Sequence, residues 1–227
     1  MFYWGDSTIL LLVPVIILAI WAQAKVKGNY KKYLQVKSSV GMTGSEVART
    51  ILDRNGLTDV KVTTIEGFLS DNYDPRVLEV HLSKEVYYGD SVSSVAIAAH
   101  ESGHALQHAF KYSPLAMRAN ILPLASISSW MAFPLFFAGL IFSMSPLMDI
   151  GIVLFAAALA FHLVTLPVEY NASQRAFEQL SDRIIIYPDE MKGVRKVLNA
   201  AAMTYVAATL MALVNLIRLI LIRNSRN

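Results

Sequence analysis

The chain has 227 residues, 55% of them hydrophobic and 16% charged, with a mean hydropathy of +0.44, which is too apolar for an ordinary soluble domain of that length. It contains no cysteine, which excludes disulfide scaffolds, thiolate metal sites and cysteine nucleophiles. The net charge of +3 arises from Lys and Arg interleaved with acids rather than striped, which argues against a nucleic-acid partner.

Ser7–Ala24 is a charge-free run of 18 residues, close to the roughly 20 that a membrane-spanning helix needs. Asp6 precedes it, and Lys25, Lys27, Lys31, Lys32 and Lys37 follow without an intervening acid. The positive-inside rule therefore puts the N-terminus outside and residue 25 onward in the cytoplasm. A signal peptide would start basic, so residues 1–24 read as a retained anchor despite the small-residue stretch Ala22-Gln23-Ala24.

Residues 25–118 read as a cytoplasmic α/β segment. Thr43-Gly44-Ser45-Glu46 fits a capping box, with Val47, Ala48, Ile51 and Leu52 at helical spacing behind it and a stop at Asn55-Gly56. Val60-Lys61-Val62 and Val77–Leu82 are β-prone, and Asp74-Pro75 turns the chain before the second. That second strand is a candidate for pairing with an extended substrate. Asp90 or Ser91 then caps a helix reaching about Phe110.

On this helix stands His100-Glu101-Ser102-Gly103-His104, the HExxH pattern. Residues four apart share a helix face, so both imidazoles can reach one metal ion while Glu101 stands beside a metal-activated water. A catalytic zinc wants a third protein ligand and one open position. His108 continues the same helix with no glycine turn before it, and lies about 80° round from His100. His162 lies inside a later apolar run.

Two further charge-free runs, Ala119–Met148 (30 residues) and Ile150–Val168 (19), are separated only by the Asp149 region. They read as a transmembrane hairpin over 119–168 with its tip outside. The chain then returns to the cytoplasm at Glu169, an even number of crossings after His104, which makes Glu169 the strongest candidate for the third ligand. Residues 169–196 carry Arg175, Arg183, Lys192, Arg195 and Lys196 and read as a cytoplasmic helical segment. Val197–Ile217, 21 residues without charge, opens a C-terminal span and tail over 197–227. Arg218, Arg223 and Arg226 then fall outside, against the rule. Either the tail is too short to set topology, or the last helix is interfacial or re-entrant.

The HExxH before a transmembrane hairpin, with Glu169-Tyr170-Asn171-Ala172-Ser173-Gln174-Arg175-Ala176 after it, resembles the YugP-like neutral zinc metallopeptidases of bacterial membranes. The resemblance extends through Thr43-Gly44-Ser45-Glu46, Tyr73-Asp74-Pro75, Leu166-Pro167-Val168-Glu169 and Leu198-Asn199-Ala200-Ala201-Ala202. More distantly the chain is similar to the HtpX and CaaX prenyl protease families, whose ExxADxxA motif supplies the third zinc ligand. Glu169, Ala172 and Ala176 match that motif. Ser173 stands where those families have Asp, so Ser173 or another group must orient a ligand histidine.

The resemblance implies a gluzincin-type peptidase: a mainly α-helical, multi-pass protein of the cell membrane, with about four transmembrane helices and a small zincin-like cytoplasmic segment. Its zinc would be held by His100, His104 and Glu169, with Glu101 as general base acting on a peptide or protein substrate. Arg175 is the first candidate for stabilising the oxyanion, and Tyr205 the second. Two readings compete. One is a site-2-type intramembrane protease, which would need an Asp on a span. The other is a non-catalytic scaffold or chaperone keeping a metal site, although closed structural zinc sites favour cysteine.

Overall fold

The computed structural model describes residues 7–181 and 185–225, so Asp6, Arg183 and Arg226 lie outside the described residues. The chain divides into two compact units, Ala24–Leu115 with Pro167–Ala202, and Met1–Gln23 with Ala116–Leu166 and Met203–Asn227. A 3₁₀ turn (Ser7–Leu11) leads into α1 (Leu12–Leu34), which contributes to both units.

The first unit has a layer of helices on a three-stranded sheet. In α2 (Gly44–Arg54) the capping box forms as the sequence predicts. Thr43 Oγ1 accepts from the Glu46 N–H at 3.3 Å and Glu46 Oε2 accepts from the Thr43 N–H at 2.8 Å. The stripe Val47, Ala48, Ile51 and Leu52 is buried. The sheet order is β1 (Lys61–Ile65), β3 (Glu79–Ser83), β2 (Asn72–Asp74), with β1 parallel and β2 antiparallel to β3. Asp74 turns the β2–β3 connection by accepting from the Arg76 N–H at 2.9 Å, and Leu78 completes it at φ 55°.

The strand expected at Val77–Leu82 forms at Glu79–Ser83, with Val77 and Leu78 in the turn before it, and it is the central one, with both edges already paired. It cannot take a substrate by edge addition; β1 and β2 hold the outer edges. A five-residue helix, α3 (Lys84–Tyr88), precedes α4 (Val92–Ala109), whose N-cap is Ser91, accepting from the Ser94 N–H at 3.1 Å. Leu82, Val95, Leu106, Leu180, Ile186 and Val194 join the α2 stripe in one buried core. Removing each such side chain from water stabilises the fold by about 1.5–3 kcal/mol.

The second unit is helical. α5 (Ser113–Ile141), α6 (Ser145–Leu180) and α7 (Met191–Asn224) supply it, with the start of α1. Among the described residues, four helices are long and apolar enough to cross a membrane: Thr8–Leu34, Ser113–Ile141, Ser145–Leu180 and Met191–Asn224. The α5–α6 turn falls at residues 142–144, ahead of Asp149, which lies within α6. Ser143 adopts φ 55° and the Met144 N–H donates to the Gly139 carbonyl at 2.8 Å, a Schellman-type closure. The apolar run continues through this turn, so the position of the nearest charge does not locate it.

Phe136, Met148 and Leu219 form a small cluster in this unit. A Cβ on Gly151 would lie 2.8 Å from the Ala132 carbonyl oxygen, so α5 and α6 touch backbone to backbone there. At the end of α7, Arg223 makes a two-pronged pair with Asp149 (Nε–Oδ1 2.9 Å, Nη2–Oδ2 3.2 Å), and the Arg218 Nε donates to Thr8 Oγ1 at 3.3 Å.

Candidate metal centre

α4 presents His100 and His104 one turn apart, with their rings edge to face at a centroid separation of 4.8 Å. The part of α6 that belongs to the same unit brings Glu169 against them. Glu169 Oε2 lies 3.3 Å from His100 Nε2 and 3.6 Å from His104 Nε2. One ligand atom from each of the three side chains lies within 4.8 Å of the others.

Glycine makes this approach possible. A Cβ on Gly103 would sit 2.5 Å from the Ala172 carbonyl oxygen, so α4 and α6 meet where Gly103 has no side chain and where α6 offers the buried Ala172 and Ala176. The spacing E-x-x-A-x-x-x-A thus has a packing reason as well as a chemical one.

The donor set suits zinc: two imidazole nitrogens and one carboxylate oxygen, with no fourth His, Cys, Asp or Glu grouped with them among the described residues. Three protein ligands leave a coordination position open, the arrangement of catalytic rather than closed structural sites. Glu101, next to His100, is buried, and burial raises its carboxyl pKa above the ordinary glutamate range against the pull of the two histidines. For His104, burial disfavours the charged ring, but the Glu169 hydrogen bond and the Glu101 carboxylate outweigh it and raise the pKa.

Both histidines are held from behind. Ser173 Oγ lies 3.2 Å from His100 Nδ1, so the serine at the Asp position of the distant motif does reach a histidine. Gln107, which sequence reasoning did not single out, is fully buried with its Oε1 2.9 Å from His104 Nδ1. Its Nε2 donates to the Val168 carbonyl at 2.7 Å and to Asn171 Oδ1 at 3.0 Å. A polar residue three positions past a candidate ligand on the same helix is the signal that could have found it.

The other expected residues are placed elsewhere. His108 Nδ1 is 2.8 Å from the Tyr73 hydroxyl on β2 and is not grouped with the ligand atoms. Arg175 donates from Nε to Asn171 Oδ1 at 2.9 Å, with its guanidinium 5.6 Å from the centre of the Phe110 ring. His162 and Tyr205 belong to the other unit, where His162 contacts the Phe161 ring. Asp149, the carboxylate nearest a span interior, is engaged by Arg223.

The sequence profile of a family described as "Putative neutral zinc metallopeptidase" matches residues 8–224. The chain is also 48% identical, over 214 residues, to "Putative membrane protease YugP" of Bacillus subtilis (strain 168), an alignment covering 94% of this chain and 95% of that protein. No solved structure matches the chain.

Proposed function

The chain belongs to this neutral zinc metallopeptidase family, and from that premise we propose that it is an integral-membrane endopeptidase with a zincin-like active site on the cytoplasmic side. The convergence of His100, His104 and Glu169 beside the buried Glu101 carries the reading. The two imidazole Nε2 atoms and the Glu169 carboxylate would hold the metal. A zinc ion bound there supplies a Lewis acid for the scissile carbonyl and a water of lowered pKa.

Glu101 takes a proton from the attacking water at its carboxylate and delivers it to the departing amine nitrogen, so that one water is consumed per peptide bond broken. Arg175, held through Nε by Asn171, is the side chain we assign to stabilising the developing oxyanion. An extended peptide pairs with the outer edge of β2, the strand whose Tyr73 contacts His108 at the end of the HExxH helix.

The sidedness rests on Lys25, Lys27, Lys31 and Lys32, which follow the first apolar run without an acid. The Arg223–Asp149 pair supports an outward C-terminal tail, because it neutralises one of the charges that would oppose that orientation. Single-cysteine variants in this naturally cysteine-free chain test it. Cysteine at Lys27 should react with an impermeant maleimide only after the membrane is opened, and cysteine at Ser143 before.

The activity test compares the wild type with Glu101→Gln in detergent, measuring bound metal and cleavage of unfolded casein. We expect one zinc per chain in both and cleavage reduced about 10²–10⁴-fold in the variant. Metal without cleavage in either protein would favour the scaffold reading, and absent metal would overturn the site.

A further inference from the structure

We infer that Gln107 is a positioning residue that holds the His104 proton on Nδ1, so that Nε2 is the nitrogen left to bind metal; the inference rests on the metal-site reading above. The argument is a chain of donors and acceptors whose direction cannot be reversed. A guanidinium only donates, so the Asn171 atom 2.9 Å from Arg175 Nε is the amide oxygen. A backbone carbonyl only accepts, so the Gln107 atom 2.7 Å from the Val168 oxygen is the amide nitrogen, and the same nitrogen meets the already oriented Asn171 oxygen at 3.0 Å.

Two independent acceptors thus orient the Gln107 amide, which turns its oxygen toward His104 Nδ1 at 2.9 Å. With a metal at Nε2 the imidazole is neutral, and an acceptor facing Nδ1 then fixes the remaining proton there; without the metal, Nε2 faces Glu169 Oε2 at 3.6 Å instead. His100 has no such direction imposed on it, because the Ser173 hydroxyl at its Nδ1 can either donate or accept. Gln107 also bonds the carbonyl of the residue immediately before Glu169, so one amide sets both a histidine and the backbone that carries the third ligand.

A purely space-filling residue would tolerate leucine, whereas a positioning residue would not. The test measures zinc affinity by competition with a chromophoric chelator, and the thermal midpoint of the metal-free protein, for the wild type, Gln107→Leu, Gln107→Glu and Asn171→Ala. The leucine variant should bind zinc about 10–100-fold more weakly, as losses of such supporting groups do, with a metal-free midpoint close to that of the wild type. Glutamic acid in its protonated form can still accept from Nδ1 and donate to Val168, so this variant should lie nearer the wild type than leucine does. Asn171→Ala, which removes one of the two orienting acceptors without touching His104, should lose less than leucine. It still reports on the chain of bonds if the leucine variant does not fold.

Wild-type affinity in Gln107→Leu, or a loss of metal that merely follows a lowered metal-free midpoint and is not restored by Gln107→Glu, overturns the inference. A wild type that binds no zinc overturns the underlying metal reading instead, and the two failures are distinguished by which protein shows them.

Discussion

The two units solve the packing problem in opposite ways. In the unit that holds the candidate metal centre, Ile51, Leu52, Val80, Leu82 and Leu106 point inward and are fully buried. In the other, Trp130, Ile141, Phe142 and Val153 are 81%, 70%, 70% and 69% exposed, and the buried cluster is confined to Phe136, Met148 and Leu219. Water drives the first arrangement. In a lipid environment, apolar side chains gain nothing by leaving the surface, so helices associate through small residues and close backbone contact. The units share one device, a glycine at a helix crossing, and use it for different ends: Gly151 joins two helices, while Gly103 admits a carboxylate to a pair of histidines.

Loss of the carboxylate should separate the units most sharply. Glu169→Ala is expected to reduce zinc from one per chain to near zero and casein cleavage to background, while the helices of the other unit keep their signal by circular dichroism. Retained stoichiometric zinc would break the assignment. The glycines come next. In Gly103→Val the new side chain meets the Ala172 carbonyl, so zinc should be lost along with about 1–3 kcal/mol of stability, whereas Gly151→Val should lower the melting midpoint and leave zinc bound. Equal effects on metal would erase the distinction.

The pH profile gives a third test. Glu101 acts as a base only when ionised, and burial raises its pKa, so kcat/KM should fall roughly tenfold per pH unit on an acid limb lying above the ordinary glutamate range. A limb at or below that range would show that the positive charge of the bound metal outweighs the burial of the Glu101 carboxyl. Ile51→Ala should destabilise the first unit by about 2–5 kcal/mol in denaturant, and Leu219→Ala, truncating a side chain in the small cluster of the other unit, by less. Asp149→Asn should have the smallest effect, a midpoint change that disappears at high salt, because its partner Arg223 lies in solvent reach.

Periodic and chemical features were legible in the sequence, and spatial order was not. The capping box at Thr43, the HExxH helix and the grouping of Glu169 with its two histidines follow from spacing, charge and the resemblance that those residues carry. Two elements, α3 and β2, were too short, at five and three residues, to give a periodic signal. The central place of β3 could not be read either, because strand composition does not record which neighbours lie on each side. The α5–α6 turn was hidden because an unbroken apolar run carries no charge at the point where it reverses. Gln107 was missed for a related reason: a glutamine on a helix looks the same in sequence whether it faces water or closes a network behind a histidine.

The ligand group has a temporal consequence. His100 and Glu169 are 69 positions apart, with the whole α5–α6 turn between them. A ribosome releasing this chain would finish the HExxH helix long before the residue that completes its ligand set, and Gln107 would find no Val168 carbonyl until then. The ligand set is therefore incomplete through most of the chain's synthesis, and can close only after α6 has been made and folded back against α4.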